Sequence, residues 1–500
     1  MLRDSPRGRR RAFGLVVVAA LVVAVAVSVN ALAGGGEPSP GTRASAAAGA
    51  RPTRVKPPRI SGAARVGARL VATRGGWRRR PRSFAFRWMR CDRGGAHCSA
   101  IAGAQSSGYV VSSGDVGATI RVSVVAANRA GRSKPALSAH TGVIVGSTAA
   151  SRRLEYVFDD GLVSVYDIDR QFQLVETISL PQTEAGIRGA TVSPATHMLF
   201  ISYGGDGGEY GDGSVLAYDL VAERVVWTVH LHTGVDSGAV SPDGSRLYMP
   251  TGENESSGIW NILDTSNGAV IGKIQGGSGA HNTIASADGR YVYLGGRDDS
   301  QLDVYETSTG HVRHIGPLVG GARPFTVNSS NTIAFTTSTG ADGFQVSNVT
   351  TGKVLFTVSF GSVPGGFPFS APSHGISLSP DEREVYVIDS VKREVHVYDV
   401  SGVARGVAPA QVSVIPVRGL TRTGSERPCA YDCALDGWVQ HSLDGRFVYV
   451  GDSGEVIDTS RHAAVATLGP LANTRKFLEI DWANGVPVAT SGRTGVGHAG

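Results

Sequence analysis

With 500 residues, 67 of them glycine, the chain is too long for one ordinary core and too rich in turn-formers for a helical fold. Its formal net charge of +6 is uneven: residues 1–90 hold 19 Lys/Arg and two acids, which leaves 29 basic against 40 acidic residues beyond them. The basic character therefore belongs to the N-terminal part and does not mark the whole chain as a nucleic-acid binder.

Residues 1–33 read as an export segment. Arg7, Arg9, Arg10 and Arg11 precede an unbroken apolar run from Leu15 to Val29, and Ala31-Leu32-Ala33 offers a small-residue cleavage site. Two readings stay open, a cleaved signal peptide or a retained anchor across 12–33, since that stretch is just long enough to span a bilayer. Both place the remainder outside the cytoplasm, extracellular or at the cell surface, with the membrane touched only through this segment. Residues 34–57 are Gly, Ala, Ser, Pro and Arg with almost nothing to bury, the composition of a disordered linker.

Residues 58–146 show alternating runs at Arg69–Ala72, Phe84–Trp88 and Thr119–Val125, separated by turn residues, the pattern of a small β-sandwich. Cys91 and Cys98 enclose six residues in an exported chain and are expected to form a local disulfide. Trp77 and Trp88 read as core residues, with carbohydrate stacking as the functional alternative. Arg78, Arg79, Arg80 and Arg82 read as a solvated turn, with an acidic polymer as theirs. Gly75-Gly76-Trp77, Phe86-Arg87-Trp88, Tyr109, Asp115-Val116-Gly117 and Ala126-Ala127-Asn128 resemble the Ig-like modules attached to secreted actinobacterial proteins. That resemblance implies a spacer or adhesion unit without a catalytic set.

From residue 152 an octet recurs: Ser241-Pro242-Asp243-Gly244-Ser245-Arg246-Leu247-Tyr248, with counterparts starting at Ser286, Ser379 and Ser442 and degenerate copies at Ser193 and Asn328. Each joins two apolar runs through a turn whose Gly tolerates positive φ. The 42–63-residue spacing is that of four-stranded propeller blades with loop insertions. A second repeat, as in Val165-Tyr166-Asp167, Ile262-Leu263-Asp264 and Val397-Tyr398-Asp399, occurs seven times. The missing seventh octet is explained if residues 476–491 return to complete the first blade, which removes exposed sheet edges. The expected fold is all-β: a seven-bladed propeller over 152–493 after the sandwich. The phrases Leu263-Asp264-Thr265, Ser241-Pro242-Asp243-Gly244 and Val397-Tyr398-Asp399 resemble the YVTN-type, YncE-like propeller family. The resemblance implies the fold and leaves function open, because the fold hosts binders, scaffolds, lactonases and lyases.

Five positions before each octet lie equivalent sites at one end of a propeller channel: Arg188, Asp236, His281, Arg323, His374 and Gly437, the last flanked by Asp436 and Trp438. In the weaker seventh alignment the site is Phe477, beside Lys476. Two Arg and two His converging there would suit a small anionic ligand, Arg through its planar fork and His as donor or proton shuttle. The structural alternative is a channel of mutually paired charges, with Asp236 bridging Arg188 or His281. A metal is disfavoured because a cation between the two His would face Arg323, and no cofactor fingerprint occurs.

Loops expected at the same face carry Asp206, Glu209, Asp212, Glu253, Glu255, Asp298 and Asp299. The spacing in 204–213 permits a loose Ca²⁺ site but fits a flexible acidic loop better. Cys429 and Cys433 are expected to pin the long insertion 401–437 by a disulfide. The reading that follows is a secreted or surface-tethered binding module on an Ig-like stalk, for a small anionic ligand, an extracellular protein or a cell-wall polymer. Its alternative is a lactonase- or lyase-type enzyme with His281 or His374 as acid/base and Arg188 and Arg323 holding an oxyanion.

Overall fold

The computed structural model describes residues 50–66, 68–101, 103–145, 151–159, 161–367, 371–420 and 435–491. The export segment and the Cys429–Cys433 pair lie outside them. The described chain is all-β: its helices are 3-10 turns of three to five residues, and none is long and apolar enough to cross a membrane.

The N-terminal strands begin earlier than the composition suggests. Thr53–Lys56, inside the expected linker, pairs with Gly76–Arg78. The long strands Ser83–Cys91 and Thr119–Asn128 pair along their whole length. They bury Trp88, Ile120, Val122 and Val124 against Leu70 of the sheet built on Arg69–Ala72. Trp88 is fully buried and donates from Nε1 to Ser106 O at 2.9 Å, whereas Trp77 stays half-exposed. Cys91 and Cys98 are disulfide-bonded.

Beyond residue 152, six four-stranded antiparallel meanders follow one another among the described residues, with leading strands Ile187–Ser193, Ala239–Val240, Ala280–Ala285, Ala322–Val327, Ile376–Leu378 and Trp438–His441. A further sheet joins the two ends of this region. Phe477–Ala483 pairs with Arg152–Asp159, the return expected of 476–491. Val486–Thr490 then folds back on its other edge, an addition the repeats do not announce. This propeller-like arrangement is packed sheet on sheet. Leu154, Tyr156 and Val163 of the first sheet meet Leu199, Ile201 and Leu216 of the next. At the other end Tyr449 and Val456 meet Val157 and Tyr166, back on the first.

The octets explain the sharp link between the first two strands of a sheet. Ser286 Oγ donates to Asp288 Oδ1 at 2.7 Å and accepts Tyr291 N–H at 2.9 Å, while Asp288 also accepts Arg290 N–H at 3.0 Å. The same set recurs around Ser241, Ser379 and Ser442. Each turn passes through a left-handed residue, Gly244, Gly289 and Gly445 at φ 71–72° and, in the copy lacking glycine, Glu382 at φ 59°.

Candidate functional site

Three of the offset residues lie at irregularities in their leading strands: the register shifts between Ile187 and Gly189, between Ala280 and Thr283, and between Ala322 and Phe325. A bulge re-aims the side chain it carries, and here those side chains are Arg188, His281 and Arg323. Asp236 and His374 sit just before the short strands Ala239–Val240 and Ile376–Leu378. All five are at least 96% buried, and so are Asp436 and Trp438.

The structure brings these residues into one network. Asp236 Oδ2 accepts from Arg188 Nη2 at 3.0 Å and lies 2.9 Å from His281 Nδ1. Arg188 Nη2 also lies 3.1 Å from Asp206 Oδ2 and 3.6 Å from Glu253 Oε1. Glu253 Oε2 accepts from Arg323 Nη1 at 2.7 Å and stands 3.5 Å from Arg297 Nη1. Across the site, the ring of His374 is 6.0 Å from that of His281 and edge-on to Trp438 at 5.9 Å. Its Nδ1 is 3.3 Å from Asp436 Oδ1 and 3.0 Å from Arg475 Nη1. Arg475 pairs with Asp436 at 2.5 Å and lies 3.7 Å from Asp452 Oδ2, which also accepts Gly437 N–H at 3.1 Å. Gly437 has φ 85°, a left-handed conformation that favours glycine, and a Cβ there would meet Ile388 Cδ1 at 2.3 Å.

Several members escaped the sequence reading. Arg475, rather than the aligned Phe477, joins the network; Phe477 packs in the apolar cluster with Tyr449 and Val157. Arg297 and Asp452 were also missed, although Asp452 stands, like Asp206 and Glu253, after the second strand of its sheet, and that position was the available signal. The acidic loops divide. Asp206 is fully buried, accepting Glu253 N–H at 3.0 Å and Asn254 Nδ2–H at 2.7 Å, whereas Asp212 is exposed. The spacing that suggested a calcium loop therefore does not gather its acids at one point.

The charge balance decides what this site can do. The contacts join four guanidiniums (Arg188, Arg297, Arg323, Arg475) to five carboxylates (Asp206, Asp236, Glu253, Asp436, Asp452). Both imidazoles are held below their usual pKa: His281 by burial, which outweighs Asp236 and Glu253, and His374, well below, by burial together with Arg475 and Arg323. They are neutral near pH 7, so among the described residues these contacts leave no positive excess for an anion. Burial pushes Glu253 up, but Arg323, His281 and Arg188 overcome it and hold the carboxyl well below its ordinary range. Ligand atoms of Asp236, Glu253 and His281 lie within 4.8 Å of one another, a spacing that would admit a cation. Three guanidiniums within ion-pair reach of the same carboxylates oppose one. His281 Nε2 is buried with no hydrogen-bond partner among the described residues.

No protein-family description matches this chain, and no curated protein matches it in sequence. Among solved structures, it is similar to the Kuenenia stuttgartiensis hydrazine synthase at 18% identity and TM-score 0.35, over 55% of this chain and 96% of that one.

Proposed function

We propose that residues 152–491 close into a seven-bladed propeller of the YVTN type, carried on an Ig-like sandwich, and that the protein is an exported, non-catalytic binding module. In this reading the buried charge network fastens the blades together, and the ligand-facing surface lies elsewhere. One contrast carries it. In the network every guanidinium has a carboxylate, whereas a groove of the N-terminal unit gathers Arg51, Arg54, Arg79, Arg132 and Lys134 around the half-exposed face of Trp77, with no acid in its lining among the described residues. Unopposed cations around an aromatic ring fit an acidic polymer of the cell exterior. The Cys91–Cys98 disulfide suits an oxidising compartment.

The test is co-sedimentation of the full-length protein with polygalacturonate over a range of NaCl concentrations. Arg54→Glu/Arg132→Glu should weaken retention about tenfold, and wild-type retention should fall with salt as exposed charges are screened. A folded His281→Ala/His374→Ala variant should bind as the wild type does. Retention unchanged in the groove variant overturns the reading. The orphaned Nε2 of His281, with Asp236 orienting Nδ1, favours a second reading, a lactonase- or lyase-type base. Lactone hydrolysis lost on His281→Gln with the fold intact would establish it.

A further inference from the structure

We infer that Asp212, His230 and His232 form a surface site for a divalent transition ion of the Zn²⁺ class. Asp212 Oδ2 lies 3.7 Å from His230 Nε2 and 4.0 Å from His232 Nδ1, and the three ligand atoms all fall within 4.8 Å of one another. Around a tetrahedral Zn²⁺ with bonds of about 2.0–2.1 Å, ligand atoms stand roughly 3.4 Å apart. The two contacts to Asp212 need shorten by only about half an ångström. Two imidazoles and one carboxylate are a donor set that zinc accepts, leaving an open position for water or a group from outside.

The backbone holds the three residues in place before any ion arrives. Ser214 and His230 are register partners on neighbouring strands, and the flanking residues are tied across the same edge. Gly213 N–H donates to Thr233 O at 2.8 Å, Leu231 N–H to Gly213 O at 2.9 Å, and Gly205 N–H to Asp212 O at 3.0 Å. Ser214 Oγ lies 3.2 Å from His230 Nδ1. With the proton on Nδ1, the ring donates to that hydroxyl and turns the Nε2 lone pair toward Asp212, the outer-shell arrangement that orients metal-binding histidines. The two rings stand edge to face with centroids 5.3 Å apart.

Charge separates this cluster from its two competitors among the described residues. Asp236, Glu253 and His281 are crowded by Arg188, Arg297 and Arg323, and Asp389, Glu394 and His396 by Lys392, whose Nζ is 3.1 Å from Asp389 Oδ2. Asp212 has no Lys or Arg within ion-pair distance among the described residues.

The test titrates the full-length protein with Zn²⁺ alone, by calorimetry in a non-chelating buffer at pH 7.5. One equivalent should bind, and His230→Ala, His232→Ala and Asp212→Asn should each weaken binding at least tenfold without moving the melting temperature, because all three side chains are exposed. His281→Ala is the control and should bind as the wild type does. No binding, less than a threefold effect from the three substitutions, or loss of the site in His281→Ala would each overturn the assignment.

Discussion

Substituting Glu253→Gln tests whether the buried charges hold one another. The carboxylate is shared by Arg323 at 2.7 Å, Arg297 at 3.5 Å and Arg188 at 3.6 Å. The amide keeps the shape and one acceptor oxygen but removes the charge that Arg297 and Arg323 share with Arg188, which keeps Asp206 and Asp236. Removing one partner of a buried pair costs about 3–5 kcal/mol, because the remaining charge keeps its desolvation penalty. Glu253 is 14% exposed in its side chain, which places the expected loss near the lower end. At about 2–4 °C per kcal/mol for a large domain, melting should fall by roughly 6–12 °C. Urea denaturation and calorimetry at pH 7 would measure it, and high salt should restore little, since buried pairs are weakly screened. A double variant, Glu253→Gln/Arg323→Met, should lose less than the two single losses combined, because partners in one network couple. The pH dependence has a defined sign. The folded carboxyl titrates below its unfolded value of about 4.3, so its contribution is fully present above that pH and fades as pH falls toward the folded value. A loss below about 1 kcal/mol, with no coupling to Arg323, would refute mutual fastening and return the ring to the status of a ligand site.

Glu155 faces Glu479 across the closing strand pair, and neither of its oxygens finds a hydrogen-bond partner among the described residues. Burial first and then Glu479 push Glu155 well up; Tyr449, raised by burial and these two carboxyls, belongs to the same pocket, with Arg153 and Asp481 acting on Glu479. Because the folded state holds this proton more tightly, wild-type stability should be highest in mild acid and fall as pH rises from about 4.3 toward the folded value. Glu155→Leu should flatten that slope and add about 1–3 kcal/mol at pH 8, and an unchanged slope in pH-dependent melting would count against it. Truncation after residue 475 should expose the edge of Arg152–Asp159 and give aggregates on size exclusion; a monomer melting like the full chain would contradict the closing role of Phe477–Ala483. Ser286→Ala removes two hydrogen bonds from its turn and should cost about 1–2 kcal/mol in urea denaturation, with an equal loss expected at Ser442.

The repeats made the ring residues legible because a strand fixes spacing. Four octets lock their turns by the same Ser and Asp hydrogen bonds, and the copies at Ser193 and Asn328 keep the spacing with bonds of their own, so five positions upstream reaches the start of a leading strand. Arg188, Asp236, His281, Arg323 and His374 accordingly meet in space although up to 186 residues separate them in the chain. Their counterions were not legible as partners, because loops carry no such register. Gly207, Gly208 and Gly211, all at positive φ, reverse the chain between Asp206 and Asp212, so one acid enters the network while the other turns outward to two histidines. The last sheet shows the same limit from the other side. Without an octet to anchor it, the alignment placed Phe477 where Arg475 stands, and the two-residue slip hid a cation that balances Asp436 and Asp452. Residue types at equivalent positions announced a charged centre; only the loop contacts show that its charge is already neutralised from within. A partner is then expected at surfaces where cations stand without acids, or where imidazoles and a carboxylate stand without cations.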